Sequence, residues 1–153
     1  MLPRTGHLGI NRPAGLSPNS FAAILLAYIE QWGVMLEVAF WLLVGHAMGD
    51  FGLQSDWMAR FKSRHNADNR IPSKRPDLIW IHVLGSHCLI HGGAVALATG
   101  SVILGALETL AHFAIDYGKS EGWYGFHVDQ CLHLACKALW LALLFSAPTS
   151  IIA

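Results

Sequence analysis

Four long apolar segments constrain what this chain can fold into. Each segment approaches the length at which a helix crosses a hydrocarbon core of about 30 Å. No alternation typical of β-strands persists along them, and no repeat period is present. The pattern therefore predicts an all-α fold of about four helices. The segments cover residues 21–49, 78–98, 101–117 and 128–145.

The balance of residue types favours a membrane environment for these helices. Hydrophobic residues make up 54% of the chain and charged residues 13%, whereas a soluble domain usually carries about 25% charged residues. A soluble helix bundle needs a polar outer face, and these segments have too few charges to form one. We therefore expect an integral membrane bundle, built as a single domain over residues 21–147.

The segments that flank the apolar runs predict the ends of the domain and its orientation. Residues 1–20 are rich in proline and glycine, which indicates a flexible N-terminal tail, and residues 148–153 form a short C-terminal tail. Residues 51–77 hold six of the ten basic residues of the chain. Because loops rich in Lys and Arg stay in the cytoplasm, we expect a multi-pass protein with this loop on the cytoplasmic side.

Ionisable residues recur at a spacing of four inside all four apolar segments. That spacing places two side chains on one face of a helix, about one turn apart. Ionisable groups inside a membrane are costly, so they usually point inward and serve a function. The candidate metal ligands identified in this way are His46, Asp50, His87, His91, Glu108, His112, Asp116, Asp129 and His133.

The predicted topology brings these nine residues towards the cytoplasmic side of the membrane. Nine candidates are too many for one four-coordinate ion, so two ions fit, as does one ion with a catalytic base and supporting carboxylates. Imidazoles mixed with carboxylates suit Zn²⁺, Mn²⁺ or Fe²⁺ as the cofactor. Hydrogen bonds between helices, or a proton pathway without metal, would use the same residue types.

The sequence lacks features that several classes of function require. A formal net charge of zero offers no general attraction for nucleic acid. The three cysteines include no C-x-x-C spacing, so a disulfide framework is not expected. The sequence suggests no Ser-His or Cys-His nucleophile arrangement and contains no Gly-rich phosphate loop.

Several short polar motifs occur together in this chain. The stretch from His46 to Gln54 reads H-x-x-x-D-F-x-L-Q, and further motifs lie around His91 and at residues 109–119 and 129–133. Together they resemble a family of small bacterial and phage membrane proteins, the Domain of Unknown Function 3307 (DUF3307) family, of which H-x-x-x-D-F-x-L-Q is the signature. The resemblance covers roughly residues 38–145. It implies a multi-span protein of the bacterial inner membrane with the matched polar positions as its site. A looser likeness exists to membrane-bound metal-dependent hydrolases.

We therefore predict a membrane-embedded, metal-dependent hydrolase that acts on a phosphoester of a lipid or lipid-linked molecule. Two ions could activate a water and hold the phosphoryl group, and Glu108 could be a ligand or the base that takes a proton. The expected partners are the lipid bilayer and a lipid phosphate head group, and a homo-oligomer is compatible with four spans. The alternatives are a di-iron oxidoreductase, a metal or proton transporter, and a membrane protein that metal only stabilises.

Overall fold

The computed structural model describes residues 20–65 and 78–146, and these ranges are helical without any β-strand. Four long helices of 19 to 27 residues confirm the all-α prediction. A π-helical turn and a short helix follow the first of them. The elements are α1 (Phe21–Ala47), the π-helical turn (Met48–Gly52), α2 (Asp56–Phe61), α3 (Ile79–Thr99), α4 (Val102–Ser120) and α5 (Phe126–Ser146).

Parts of three predicted segments lie outside the described residues. They are the N-terminal tail apart from Ser20, the C-terminal tail, and residues 66–77 of the basic loop. The described part of that loop contains α2, which the sequence analysis did not predict. Ser55 caps this helix, because its hydroxyl accepts a hydrogen bond from the backbone amide of Met58 at 3.2 Å. A Ser-Asp start of this kind is the sequence signal for such a helix.

The chain divides after Val34 into two compact units. The first part of α1 exposes apolar side chains, and the rings of Tyr28 and Trp32 pack edge to face with centroids 6.1 Å apart. The unit from Met35 onward contains the second part of α1 and the later helices. Within this unit α4 packs against both α3 and α5, and α2 packs against α3.

Polar and apolar side chains in the second unit are distributed in the reverse of the soluble pattern. Leu89, Leu97 and Leu110 are 65 to 70% exposed, whereas many charged and imidazole side chains are buried. Exposed apolar surface on this scale marks contact with another apolar phase. Three helical segments are long and apolar enough to cross a membrane, and they are Phe21–Gly52, Ile79–Thr99 and Phe126–Ser146.

The fourth predicted span, α4, is a helix of similar length but of different composition. It carries Glu108, Asp116 and Lys119 among 19 residues, and charges at that density are rare in a membrane span. Length and composition therefore support three of the four predicted spans. Two of these three charged residues, Glu108 and Asp116, belong to the predicted site.

A close approach between α3 and α4 brings their polar residues together. The connection is short, because Gly100 adopts a left-handed φ of 72° and Ser101 caps the start of α4. A Cβ atom on Gly92 would lie 2.6 Å from the Gly105 carbonyl oxygen, and one on Gly105 would lie 2.6 Å from the Gly92 carbonyl oxygen. The two backbones therefore touch at these glycines, directly beside His91.

We expect Gly92→Val to destabilise the protein by about 1–3 kcal/mol, because the added side chain would force α3 away from α4. Gly93→Val is the matched control, since it adds the same β-branched residue at an exposed neighbouring position with open space around it. Thermal unfolding of the two variants in detergent measures the difference. Equal losses of stability would show that helix propensity, and not the contact between helices, causes the effect.

Candidate metal centre

The nine predicted residues come together in one buried polar centre within the second unit. Eight of them have exposures between 0 and 5%, and the Asp50 side chain is 9% exposed. They are contributed by the end of α1, the π-helical turn, α3, α4 and the start of α5. The polar centre consists of His46, Asp50, His87, His91, Glu108, His112, Asp116, Asp129 and His133.

Four residues form the first group of the polar centre, and their ligand atoms lie within 4.8 Å of one another. Asp50 Oδ1 lies 3.1 Å from His91 Nε2 and 3.5 Å from His87 Nε2. The Nε2 atoms of His87 and His112 are 3.3 Å apart. Four ligands at about 2.1 Å around a tetrahedral ion are about 3.4 Å from one another. The first group therefore has the dimensions of one tetrahedral metal site.

His112, Asp116 and His133 form a second group, whose ligand atoms also lie within 4.8 Å of one another. His133 Nε2 lies 3.4 Å from Asp116 Oδ1 and 3.6 Å from Asp129 Oδ1. His112 is the residue that the two groups share. Its Nδ1 atom faces Glu108, so its Nε2 atom is the one that faces both groups and can serve one ion at a time.

His46 lies beside the first group, and Gln130 connects it to a carboxylate. His46 Nε2 donates to Gln130 Oε1 at 3.2 Å. The Gln130 amide donates to Asp50 Oδ2 at 2.9 Å and to Asp129 Oδ2 at 3.2 Å. These bonds occupy Asp50 Oδ2, and they leave Asp50 Oδ1 directed at the histidines of α3.

Glu108 is held by three neighbours at the edge of the polar centre. Lys137 Nζ donates to Glu108 Oε1 at 2.5 Å, and Trp140 Nε1 donates to Oε2 at 2.5 Å. His112 Nδ1 donates to Oε1 at 3.2 Å, which selects the tautomer whose Nε2 atom can bind a metal. Lys137 is absent from the predicted set, although it stands four residues after His133 and so continues the helical spacing.

Three lysines neutralise three of the four carboxylates of the polar centre. The fourth, Asp50, contacts imidazoles and no lysine or arginine among the described residues. With neutral imidazoles the centre therefore has an excess of one negative charge, which a bound cation would balance. The ion pairs are Lys62–Asp116 at 2.6 Å, Lys119–Asp129 at 2.7 Å and Lys137–Glu108 at 2.5 Å.

Several buried imidazole nitrogens have no hydrogen-bond partner within residues 20–65 and 78–146. His91 Nε2 and His133 Nε2 are two of them, one from each group: each lies near a carboxylate oxygen, at 3.1 and 3.4 Å, but without the geometry of a hydrogen bond. A buried polar atom without a partner costs about 1–3 kcal/mol, and a metal ion would remove that cost. The imidazole and carboxylate donors, the spacing of the first group and the unbalanced charge of Asp50 together fit a divalent transition metal.

Two local features place Asp50 against the histidines of α3. The π-helical turn Met48–Gly52 widens the end of the first helix at the position of this aspartate, and such turns are frequent at functional sites. Gly49 leaves room for the His91 imidazole, which a Cβ atom at this position would overlap. The backbone of the turn therefore forms part of the wall of the site.

An apolar cluster lies about one helical turn from the polar centre. Leu42, Val95 and Leu104 are each four residues from a histidine or carboxylate of the centre, on α1, α3 and α4. They pack with Trp140 of α5. The polar centre is therefore bounded by apolar side chains along the direction of these helices.

Residues 62–65, which we call the basic strap, follow α2 and contact the end of α4 through ion pairs. Lys62 contacts Asp116, and Arg64 donates two hydrogen bonds to the Glu121 carboxylate at 2.5 and 2.6 Å. The bonds from Arg64 hold the pKa of Glu121 below its usual value. His65 Nε2 lies 3.1 Å from the same carboxylate. The strap thereby brings Lys62 to the edge of the polar centre.

Comparison with known proteins identifies a family without identifying an activity. The family model described as "Protein of unknown function (DUF3307)" matches residues 38–152, which is more than half of the chain. No curated protein matches this chain, and no solved structure matches it.

Proposed function

Because this chain belongs to the DUF3307 family of proteins of unknown function, we propose its function from the polar centre, as a membrane-embedded, metal-dependent phosphoester hydrolase. The observation that carries the proposal is the first group, in which Asp50 and three histidines offer ligand atoms within 4.8 Å of one another. These residues bind one divalent ion, and Zn²⁺, Mn²⁺ and Fe²⁺ suit their donor atoms.

The second group holds a second ion with fewer protein ligands. His112 Nε2 serves the first ion, so Asp116 and His133 remain as protein ligands for the second. A metal site with four protein ligands is usually structural, whereas a catalytic site keeps positions for water and substrate. The reaction is therefore assigned to the side of the centre that Asp116, His133 and Asp129 line.

When bound, divalent ions polarise a phosphoryl oxygen and make water more acidic. The residues of the chain position these components and accept a proton. Asp129 Oδ1 accepts no hydrogen bond within the described ranges. We therefore assign to this oxygen the role of accepting the proton that the attacking water loses. Both oxygens of Glu108 have donors, and we assign Glu108 to orienting His112 in preference to the predicted roles of ligand or base.

A lipid-linked phosphoester fits the surroundings of the site. The length of the helices and their exposed apolar side chains favour a position within the bilayer. Lys62 and Lys119 lie at the edge of the polar centre, and cations at such positions attract anionic head groups. We propose four helices around the centre and, from the excess of Lys and Arg in residues 51–77, a site on the cytoplasmic side of the inner membrane.

The alternatives have less support from the geometry. Di-iron sites of helix bundles are built largely from glutamates, whereas each group of the polar centre contains more histidines than carboxylates. A transporter needs a path that leaves the site in two directions, and the cluster around Leu42, Val95 and Leu104 lies across one of them. A purely structural metal does not account for the second group and its open positions.

We expect the purified protein to release phosphate from short-chain phosphatidic acid in detergent micelles only when metal is bound. Chelation with EDTA should abolish release, and Zn²⁺, Mn²⁺ or Fe²⁺ should restore it. Asp129→Asn should lower the rate by about 100-fold or more, because general-base catalysis contributes about 10²–10⁴-fold. His82→Ala, an exposed histidine of α3, is the control and should retain the rate. Metal-loaded protein that releases no phosphate from any phosphoester tested would refute the hydrolase while leaving metal binding intact.

A further inference from the structure

Lys62 differs from the other charged residues at the site in where it comes from. The nine residues of the polar centre lie on the long helices or on the turn that ends α1, whereas Lys62 follows the short helix α2. Its side chain is 11% exposed, and its ammonium lies 2.6 Å from Asp116 Oδ2. The same carboxylate oxygen lies 3.4 Å from His87 Nε2. The Lys62 ammonium therefore contacts one proposed metal ligand directly, and a single oxygen atom separates it from His87, a second one.

We propose that Lys62 binds the phosphate group of the substrate, exchanging its contact with Asp116 for one with a phosphate oxygen. The inference rests on the proposed function and names the substrate-binding residue of the same site. No covalent step is involved, because the ammonium moves from one oxygen anion to another. The ligand class is a phosphate group with a free anionic oxygen, from a lipid head group or from a soluble phosphate.

The charge of the polar centre favours this exchange. With neutral imidazoles, four carboxylates and three lysines leave one excess negative charge before metal binds. One divalent ion changes that excess to one positive charge, and a second ion adds two more. A metal-loaded centre therefore attracts an anion. Once Asp116 coordinates an ion, the ion neutralises the charge of its carboxylate and weakens the attraction of that carboxylate for the Lys62 ammonium. The ammonium then becomes available to the phosphate.

The basic strap holds the backbone of Lys62 in place during the exchange. Arg64 forms a two-bond pair with Glu121 two residues further along the chain, so movement of the lysine is confined to its flexible side chain. Lys119 differs from Lys62 in its partner, because its ammonium pairs with Asp129, which belongs to neither group of ligand atoms. Metal binding therefore does not release Lys119 in the same way. The geometry therefore assigns phosphate recognition to Lys62 in particular.

The test compares Lys62→Gln with Arg60→Gln in the full-length, metal-loaded protein. Arg60 is an exposed cation on α2, and its removal changes the net charge by the same amount. Isothermal titration with inorganic phosphate should show about 10- to 100-fold weaker binding for Lys62→Gln, the effect of losing a charge-assisted hydrogen bond. Arg60→Gln should bind phosphate as the unmodified protein does. Lys62→Arg keeps the positive charge and should therefore keep most of the affinity that Lys62→Gln loses.

Metal content, measured before phosphate is added, separates the possible failures. Lys62→Gln should keep the metal content of the unmodified protein, and loss of metal would show that Lys62 only neutralises Asp116, which overturns the inference. Unchanged phosphate affinity in Lys62→Gln also overturns it. An unmodified protein that holds no metal refutes the proposed function instead, and that result is obtained without any Lys62 variant.

Two further arms identify the source of the phosphate group. Glycerol 3-phosphate tests a soluble ester, and phosphatidic acid in bicelles tests a lipid head group. Weaker binding of both to Lys62→Gln assigns the residue to the phosphate group itself. Weaker binding of phosphatidic acid alone assigns it to the lipid head group. Equal binding of both by Lys62→Gln and the unmodified protein contradicts the inference.

Discussion

Replacing His112 with alanine should remove bound metal and hydrolysis together. His112 belongs to both groups of ligand atoms, and it is completely buried between α3 and α5. Loss of a residue that merely orients a ligand costs about 10- to 100-fold in metal affinity, so loss of this shared ligand should cost at least about 100-fold. Elemental analysis of the detergent-purified protein, beside the His91→Ala/His112→Ala double variant, measures the effect.

His82→Ala controls for the removal of a histidine without the removal of a ligand. It lies on α3, as His87 and His91 do, but its side chain is exposed. Circular dichroism and thermal unfolding show whether each variant still folds. Full metal content in a folded His112→Ala protein would contradict the ligand assignment. If neither the unmodified protein nor the variants bind Zn²⁺, Mn²⁺ or Fe²⁺, the polar centre is a proton pathway or a structural network.

The polar centre could be predicted from the sequence because its spacing is a property of single helices. His112 and Asp116 share a face of one helix whatever surrounds it, and the same holds for His87 and His91. The cost of ionisable groups in an apolar environment then predicts that such faces turn inward and meet. The structure buries these residues together, as that argument requires.

The lysines of the centre could not be assigned in the same way. Lys62 contacts Asp116 across 54 positions of the sequence, and such a contact depends on where the end of α2 lies relative to α4. Lys137 was detectable in principle, because it is a charged residue within an apolar helix and continues the spacing from Asp129 through His133. The π-helical turn had no recognisable signal, because the first helix ends with it and no later helical positions record the extra residue.

The partners of Glu108 also required the tertiary structure. From sequence, its spacing from His112 was compatible with a ligand, a base or a supporting carboxylate. Lys137 and Trp140 both come from α5, so their contacts depend on the packing of α4 against α5. These contacts neutralise Glu108 and occupy its two oxygens, which is why we assign it to holding His112.

Replacing Lys137 with methionine should destabilise the protein by about 3–5 kcal/mol, because Glu108 would remain charged and buried without its cation. Both side chains are almost fully buried, at 4% and 1% exposure. The double variant Glu108→Gln/Lys137→Met should recover most of this loss, since it removes the charge together with its partner. Unfolding of the three proteins in detergent measures the recovery. A double variant as unstable as Lys137→Met would show that Lys137 has a second role beyond neutralising Glu108.

Metal affinity separates the orienting role of Glu108 from its contribution to stability. In Glu108→Gln/Lys137→Met a side-chain oxygen remains that can accept the hydrogen bond from His112 Nδ1, so metal affinity should stay within about tenfold of the unmodified protein. In Glu108→Leu/Lys137→Met no acceptor remains, and affinity should fall by about 10- to 100-fold. Equal affinities in the two double variants would mean that packing alone holds the His112 ring. The orientation of a ligand in the first group would then not depend on Glu108.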